Sequence, residues 1–183
     1  MRAPIGEFDD AVPAALAPHF AGPAAEAVRA WRGAVPAEQL LYVDTDPGKA
    51  DTAAFVETYG AGLSETSANC VVVAAKRGGE RTLAGCVVLS RTRLDVNGTV
   101  RRQLDARKAS FAPMDDAVRE TGMEYGGITP IGLPEGWPVL VDAAVADLPW
   151  VLIGSGRRRG KLIVPGKALA ELPGSVVLEG LGA

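Results

Sequence analysis

The segment with the clearest capacity for chemistry is the glycine loop, residues 126–133, which reads Gly-Gly-Ile-Thr-Pro-Ile-Gly-Leu. Gly126 and Gly127 let the backbone approach a ligand closely and adopt positive φ angles. Pro130 stiffens the exit from the loop because its ring fixes φ. A rigid turn of this kind can direct backbone N–H groups at one carbonyl oxygen, as the oxyanion of acyl transfer requires. An ordinary tight turn between two strands could have the same composition, so the loop alone leaves both interpretations open.

Two carboxylates, Asp44 and Asp142, stand at the ends of apolar stretches. Asp142 follows Val139-Leu140-Val141, just after the glycine loop. Its carboxylate could polarise a substrate amine or a water molecule, because ionised carboxylates bind ammonium groups strongly. It could equally hold the glycine loop by accepting N–H bonds, which is a structural role. Asp44 is a weaker candidate for contact with a substrate.

The densest basic run follows two small residues, Gly154 and Ser155, in a predicted loop. Several cations on one loop can bind the phosphates of a nucleic acid. The alternative interpretation is a solvated hairpin tip. The basic residues of the run are Arg157, Arg158, Arg159 and Lys161.

The inventory of nucleophiles and bases argues against several enzyme classes. His19 is the only histidine and lies in an Ala/Pro-rich segment, so we expect neither a Ser-His-Asp triad nor a histidine-built metal site. Cys70 and Cys86 each begin a strand-like run, and two isolated cysteines form no zinc pattern. No Gly-x-Ser-x-Gly nucleophile elbow is present. We therefore expect no metal and no cofactor.

Charge and hydropathy bear on partners and location. The formal net charge of −3 does not favour nucleic-acid binding by the overall field, so any RNA contact must use a local patch. No apolar run approaches the roughly 20 residues that cross a bilayer. The first residues lack the basic and apolar regions of a secretory signal. We expect a cytoplasmic protein with no membrane contact.

The spacing of apolar residues predicts the helices, and proline and glycine mark where they begin and end. Pro23 suits the first turn of a helix. Phe55 and Tyr59 lie one turn apart, and Gly60 ends that helix. The Ala/Pro-rich residues 1–38 are expected to form a loose helical lead-in. The predicted helices cover residues 23–32, 50–59, 99–106, 113–120 and 166–172.

About seven short apolar runs are predicted to be strands, with residues 108–111 as a further candidate. Their separations vary, and some connections are hairpins, so an α+β fold with a mixed, partly closed sheet and surrounding helices fits better than a regular parallel α/β fold. We expect one domain over residues 39–183. The predicted strands cover residues 40–43, 69–75, 82–90, 139–142, 151–154, 161–164 and 176–178.

Taken in order, these motifs resemble the YbaK-like family of aminoacyl-tRNA deacylases, which shares its fold with the editing domain inserted in bacterial prolyl-tRNA synthetases. The glycine loop is close to the family's Gly-Gly-(Val/Ile)-(Ser/Thr)-Pro-(Leu/Ile)-Gly. The similarity extends from Leu40 to Leu178. The other matching features are Asp46-Pro47 before a helix, the paired strands, residues 108–112, Thr121-Gly122, Asp142 and Gly154-Ser155-Gly156-Arg157.

The resemblance implies a stand-alone trans-editing hydrolase that deacylates mischarged aminoacyl-tRNA, with tRNA for proline as the first expectation. Its partners would be a tRNA acceptor end carrying an amino acid and a cognate synthetase, without DNA. Water would attack the ester with help from a ribose hydroxyl of the substrate. Within the resemblance, the catalytic loop is Gly126, Gly127, Ile128, Thr129 and Pro130; the substrate-binding residues are Asn69, Asp142, Gly154 and Ser155; and the tRNA-binding residues are Arg157, Arg158, Arg159 and Lys161.

One departure from the family pattern concerns the start of the first central strand. The family typically has a lysine there, which is thought to contact the terminal nucleotide, and Asn69 takes its place in this chain. Asparagine can form hydrogen bonds but carries no charge. The protein could therefore deacylate with an altered pocket, use another basic residue, or keep the fold without the activity. The last possibility leaves a non-catalytic module that binds aminoacyl-tRNA or an amino-acid-like ligand.

Overall fold

The computed structural model of the protein describes all 183 residues. In chain order the strands are β1 (Ala11–Pro13), β2 (Leu41–Val43), β3 (Ala68–Arg77), β4 (Glu80–Leu89), β5 (Lys108–Phe111), β6 (Val139–Asp142), β7 (Val151–Gly154), β8 (Lys161–Val164) and β9 (Ser175–Leu178). The helices are α1 (Pro23–Arg29), α2 (Thr52–Tyr59), α3 (Leu63–Thr66), α4 (Arg101–Gln103), α5 (Met114–Thr121), α6 (Ala143–Ala146) and α7 (Gly166–Leu169). Single 3-10 turns cover Ala14–Leu16, Ala37–Gln39 and Pro47–Lys49, and a π-helical turn covers Val96–Val100.

A long hairpin of β3 and β4 forms the centre of a five-stranded sheet with the order β5-β3-β4-β6-β9. The hairpin turns at Gly78 and Gly79, whose φ angles of 57° and 84° cost glycine little. β5 is antiparallel to β3, whereas β6 and β9 continue the sheet in parallel. The sheet is therefore mixed, as the sequence predicted.

A second sheet contains four antiparallel strands in the order β1-β2-β8-β7. An isolated parallel bridge between Ser67 and Leu152 joins the two sheets. The predicted α+β class with mixed strands is confirmed. The strands nevertheless form two sheets, neither of them closed, in place of one partly closed sheet, because β2 pairs with β1 and β8 and not with the central hairpin.

The main core lies between the two sheets. Side chains alternate along each strand, so Leu162 and Val164 of β8 face Val87 and Val141 of the larger sheet in one cluster of 23 buried residues. Burial of apolar surface at about 25 cal/mol per Å² makes this cluster the main stabilising contact between the sheets.

The outer face of the four-stranded sheet is covered by α2 and α3. Leu41, Val43 and Ile163 pack there against Phe55 of α2 and Leu63 of α3. Because side chains two residues apart share a face, Lys161 lies on the same side of β8 as Ile163. This places a lysine at the end of the sheet, next to the start of α2.

The first 38 residues do not form a loose lead-in. Helix α1 is present, but β1 pairs with β2 through Ala11 and Val43, so the segment also supplies an edge strand. Phe20 and Val28 are buried in the main core. The segment is held because its apolar side chains are part of the main core, where Phe20 stacks on Tyr42 of β2.

The helices are shorter than the apolar spacing suggested. The predicted helix over residues 99–106 is a π-helical turn followed by the single turn α4. Asp95 explains the irregular start, because its carboxylate accepts hydrogen bonds from Gly98 N and Thr99 N. Asp105 ends the segment with a φ of 50°, which is outside the helical range. None of the helices combines the length and apolarity needed to cross a membrane.

Candidate active site

A cavity of about 470 Å³ lies where the start of β3, the N-terminal part of α2, the end of β7, the start of β8 and the glycine loop meet. Its walls mix apolar and polar side chains. The lining includes Ala50, Asp51, Phe55, Val56, Asn69, Cys70, Tyr125, Gly126, Ile128, Leu152, Gly154, Arg158 and Lys161. A space of this size accommodates an amino acid together with part of a nucleoside.

The glycine loop is held against the segment that follows β7. Gly127 O accepts a hydrogen bond from Gly156 N at 2.7 Å, and Glu124 N donates to Gly156 O at 2.9 Å. A Cβ on Gly127 would lie 2.5 Å from the backbone C and O atoms of Arg157. Glycine is therefore required at Gly127 for close approach, and the loop has a defined position.

The backbone donors of the glycine loop are not all free. Gly127 N donates to Glu124 O at 3.0 Å, so this N–H is committed to the turn. The N–H groups of Gly126 and Ile128 have no hydrogen-bond partner within the protein, and both residues line the cavity. The available donors thus come from the residues on either side of Gly127.

The second half of the glycine loop turns away from the cavity. Thr129 is fully buried, its N–H points to Met123 Sδ at 3.5 Å, and its hydroxyl has no hydrogen-bond partner. Pro130 lines a different cavity of about 430 Å³, beside Trp31 and Trp137. Of the five loop residues predicted to be catalytic, Thr129 and Pro130 therefore do not line the cavity.

Asn69 lies at the start of β3, and its exposed side chain lines the cavity. Its amide has no hydrogen-bond partner in the protein, so it is free to contact a ligand. Cys70 also lines the cavity, and burial raises the pKa of its thiol well above the usual range. The thiol stays protonated at neutral pH and is therefore a poor nucleophile.

The basic run divides into residues with different partners. Arg157 is exposed and has no carboxylate partner. Arg158 crosses the rim of the cavity, with Nη2 at 3.4 Å from Pro47 O and 3.8 Å from Asp51 Oδ1. Arg159 forms two hydrogen bonds of 2.7 Å with the carboxylate of Asp44. Tertiary contacts thus fix two of the arginines, so the basic residues of the run differ in the charge that they leave free.

Lys161 is not part of that loop but the first residue of β8. Its ammonium lies 5.5 Å from the centroid of the Phe55 ring, and its side chain lines the cavity. Burial, and secondarily the charge of Arg158, lower the pKa of the Lys161 ammonium below its ordinary value. Lys161 forms no ion pair with a carboxylate.

Gly154 and Ser155 position the loop between β7 and β8. A Cβ on Gly154 would lie 2.6 Å from Gly127 O, so only glycine allows the strand end to pack on the glycine loop. The buried hydroxyl of Ser155 lies 3.1 Å from Arg157 O and 2.9 Å from Arg159 O. Gly154 lines the cavity, whereas Ser155 holds the loop that carries the arginines.

Asp142 lies outside the cavity. Its buried carboxylate accepts hydrogen bonds from Ala144 N at 3.3 Å and Gly182 N at 2.9 Å. It therefore caps α6 and holds the C-terminal residues, and it forms no hydrogen bond with the glycine loop. Asp44 is likewise engaged, by Arg159.

Sequence reasoning missed several residues of the cavity wall, of which three carry aromatic or charged side chains. Tyr125 lies at the rim with 58% of its surface exposed, directly before Gly126. Phe55 and Asp51 come from α2 and the turn before it. An aromatic residue next to the two glycines was the available sign for Tyr125. Nothing in the sequence places α2 at the cavity, since that depends on how the two sheets meet.

Comparison with known families decides the identity of this arrangement. The sequence profile of the aminoacyl-tRNA editing domain matches residues 46–172, which is more than half of the chain. The chain belongs to the aminoacyl-tRNA editing domain family. Deacylation of aminoacyl-tRNA is the activity of this family, and the glycine loop and the cavity lie inside the matched region. No curated protein sequence matches the chain.

Solved structures share the fold of this editing domain. A protein described as a proposed trans-editing enzyme for prolyl-tRNA synthetase has a TM-score of 0.68 and 20% identity, with 87% of this chain and 97% of that chain covered. A protein from work on epitope backbone grafting by computational design gives 0.67 and 20%, covering 89% and 99%. A hypothetical protein gives 0.60 and 23%, covering 74% and 84%. The YbaK-like fold expected from the sequence is confirmed.

Proposed function

We propose that this protein is a stand-alone trans-editing hydrolase that removes the wrong amino acid from a mischarged tRNA. The observation that carries the proposal is the pair of unpartnered N–H groups, on Gly126 and Ile128, at the wall of a cavity of about 470 Å³. Fixed donors of this kind stabilise an oxyanion by about 3 kcal/mol each. The contacts of Gly127 with the segment after β7 hold these donors in place before a substrate binds.

In this proposal the ester carbonyl of the aminoacyl group lies against the glycine loop. The oxygen of a water molecule bonds to the carbonyl carbon, and the carbonyl oxygen becomes an oxyanion held by Gly126 N and Ile128 N. The bond from that carbon to the ribose oxygen then breaks, and a proton from the water passes to the ribose oxygen. The products are a free amino acid and a tRNA with its terminal hydroxyl restored.

In this scheme a group of the substrate, and not a side chain of the protein, transfers the proton of the attacking water. Cys70 is protonated, and no histidine lines the cavity. A neighbouring ribose hydroxyl of the tRNA end can relay the proton from the water. The cavity wall supplies position and electrostatic stabilisation, which are the larger contributions in such reactions.

The tRNA for proline is the first candidate substrate, because the family's editing domains occur in the prolyl system. The partners would be a charged tRNA acceptor end and a cognate synthetase. A substrate used in translation would place the protein in the cytoplasm.

The test is hydrolysis of a panel of mischarged tRNAs by the protein and by Gly127→Ala. A Cβ at this position would meet the backbone of Arg157 at 2.5 Å, so it would push the donors out of place. We expect the deacylation rate to fall by about 100-fold or more. Gly62→Ala is the matched control, since a Cβ on Gly62 meets nothing within 4 Å. Unchanged hydrolysis in Gly127→Ala would contradict the role of the loop.

A non-catalytic binding module is the second candidate, and Asn69 favours it. The amide at this position cannot supply the charge of the family's lysine. A module of this kind would bind a charged tRNA tightly and leave its ester intact. Binding without hydrolysis across the whole panel would decide for the module and against the hydrolase.

A further inference from the structure

Lys161 is a charged group for which the protein supplies no counter-ion. Its stem packs in the cavity wall, its ammonium lies 5.5 Å from the Phe55 ring centroid, and no carboxylate is within ion-pair distance. The aromatic ring offers partial compensation through its quadrupole. Lys161 is half-buried, and its ammonium has lost part of its contact with water without gaining an ion pair in return. A lysine of this kind in a cavity wall indicates that an anionic group of a ligand pairs with its ammonium.

The charged neighbours of Lys161 leave that corner of the cavity positive. Arg158 is the cation that faces it, from the segment after β7. Asp51, from the turn before α2, lies 3.8 Å from Arg158, and its side chain is 88% exposed. Asp44, after β2, is engaged by Arg159. No neighbouring element therefore brings a free carboxylate to Lys161.

The backbone brings Lys161 close to the glycine loop. Lys161 pairs directly with Gly154 across β8 and β7. Paired residues on adjacent strands are about 5 Å apart between their Cα atoms. A Cβ on Gly154 would lie 2.6 Å from Gly127 O and 2.8 Å from Ile128 O, so the end of β7 passes close to the glycine loop. An extended lysine can therefore reach a ligand whose carbonyl group is bound at the glycine loop.

We propose that Lys161 forms an anion-binding subsite, separate from the donors of the glycine loop. The subsite receives an anionic oxygen of the bound aminoacyl-tRNA. The identity of the ligand rests on the proposed function, whereas the subsite itself rests on the contacts of Lys161. The subsite supplies, from β8, a positive charge that Asn69 does not provide on β3. Arg158 at the rim adds a second cation to the same corner.

Two parts of an aminoacyl-tRNA carry this chemistry. One is a phosphate of the terminal nucleotide, and the other is a side-chain carboxylate of an acidic amino acid. Both present oxygens that form charge-assisted hydrogen bonds with an ammonium. The phosphate belongs to the nucleotide and the carboxylate to the amino acid. Stable analogues that carry only one of these anions can therefore show which of them the subsite binds.

The experiment measures dissociation constants for adenosine analogues in which a stable amide replaces the ester. One pair compares 3′-alanylamido-adenosine with and without a 5′-phosphate. The other compares 3′-aspartylamido-adenosine with the uncharged 3′-asparaginylamido-adenosine. We expect one of the two anionic analogues to bind about tenfold more tightly than its neutral counterpart, which corresponds to about 1.4 kcal/mol. The pair that shows the difference identifies the source of the anion.

Lys161→Met tests whether the difference depends on the ammonium. This variant keeps the unbranched apolar stem, so the anion preference should disappear while the neutral analogues bind as before. Its stability without ligand should change little, because the variant replaces a half-buried ammonium that has no ion pair with an apolar group of similar shape. Lys167→Met is the matched control, since Lys167 is an exposed residue of α7 outside the cavity. It should retain the full preference.

Two results would overturn the subsite. One is the absence of an anion preference in both pairs, and the other is a preference that survives in Lys161→Met. These measurements need no turnover, so they remain decisive even if the protein hydrolyses no charged tRNA. Failure of the proposed hydrolase and failure of the subsite are thus separate outcomes.

Discussion

At the scale of single residues, Thr129 shows that some residues of the glycine loop line the cavity whereas others pack in the protein interior. Its hydroxyl is buried and has no hydrogen-bond partner, although the residue sits between Ile128 and Pro130 in the glycine loop. A hydroxyl that stays unpaired after leaving water costs about 1–3 kcal/mol. The threonine is therefore placed for its shape, while the neighbouring backbone carries the donors.

Replacement of Thr129 by valine is expected to keep or raise stability, by up to about 1 kcal/mol, because the isosteric methyl group needs no partner. Deacylation should remain within a few-fold of the original rate. Urea unfolding and a hydrolysis assay measure the two quantities.

Thr121→Val provides the comparison for Thr129→Val. The buried Thr121 hydroxyl donates to Ala117 O at 2.7 Å and accepts from Met123 N at 3.2 Å. This variant should lose about 1–3 kcal/mol, since the amide of Met123 is left without a partner. A loss of activity in Thr129→Val with stability intact would show that its hydroxyl takes part in the reaction.

At the scale of elements, the site depends on two loops that hold each other. The glycine loop packs on Gly154 and Gly156, and Ser155 folds the following residues into a fixed turn. Arg159 then ties this turn to Asp44 at the end of β2. The donors at the cavity thus gain their positions from contacts between loops that are distant in the sequence.

The pair of Asp44 and Arg159 predicts an acid-dependent contribution to stability. The Arg159 guanidinium holds the pKa of Asp44 below its ordinary value of 3.8. A carboxyl with a lowered folded-state pKa stabilises the protein above the unfolded pKa and loses this effect as the pH falls through the folded pKa. Asp44→Asn should therefore cost up to about 1 kcal/mol at neutral pH, as exposed ion pairs do, and the cost should vanish in acid below that pKa.

Urea unfolding from neutral to acid pH checks the Asp44 prediction, with Asp9→Asn as the control. Asp9 is exposed and forms no hydrogen bond or ion pair, so its replacement should change little at any pH. If the difference between Asp44→Asn and the original protein were the same at neutral and acid pH, the ion pair could not be its cause.

At the scale of the whole molecule, the net charge of −3 opposes a polyanionic partner. Contact with a tRNA end must therefore rely on the cations around the cavity. Arg159 is already engaged by Asp44, which reduces the charge that it offers, and Arg158 faces Lys161 and lies 3.8 Å from the exposed Asp51. Arg157 is the exposed arginine of this loop that lacks a carboxylate partner, so it should carry most of the loop's attraction for phosphate.

Arg157→Ala should weaken the binding of a charged acceptor-end RNA and lower its dependence on salt. Each phosphate contact contributes about 0.7 to the slope of log K against log salt concentration for single strands, and one contact should be lost. Titrations with a stable aminoacyl-amide RNA at several salt concentrations measure this slope.

Arg107→Ala is the control for Arg157. Arg107 N donates to Lys76 O, near the far end of β3. Lys76 lies seven residues from Asn69, roughly 23 Å along the strand at 3.3 Å per residue. Replacement of Arg107 should therefore leave the salt dependence of RNA binding unchanged. Equal slopes for all three proteins would place the RNA elsewhere on the surface.

Local patterns determined much of the fold. Short apolar runs were sufficient for the central hairpin and for β6, β7 and β8, because a strand that is buried on both faces is apolar along most of its length. The glycine loop and its surroundings were sufficient for the family, since close backbone approach leaves glycine as the one acceptable residue. Strand β1 was not predictable in this way, as three residues of Ala-Val-Pro carry no periodicity.

Only the tertiary structure decided which side chains share the cavity. The sequence placed Lys161 in a basic loop and Asp142 beside the glycine loop, yet strand alternation brings Lys161 into the cavity wall and helix capping removes Asp142 from it. Likewise, Phe55 reaches the site because α2 covers the outer face of the smaller sheet. The sequence determined the glycine loop, because its residue types can be read without knowledge of the rest of the fold. The charges around that loop depend on how the two sheets pack together. The sequence could not predict them, because contacts between distant segments leave no periodic pattern.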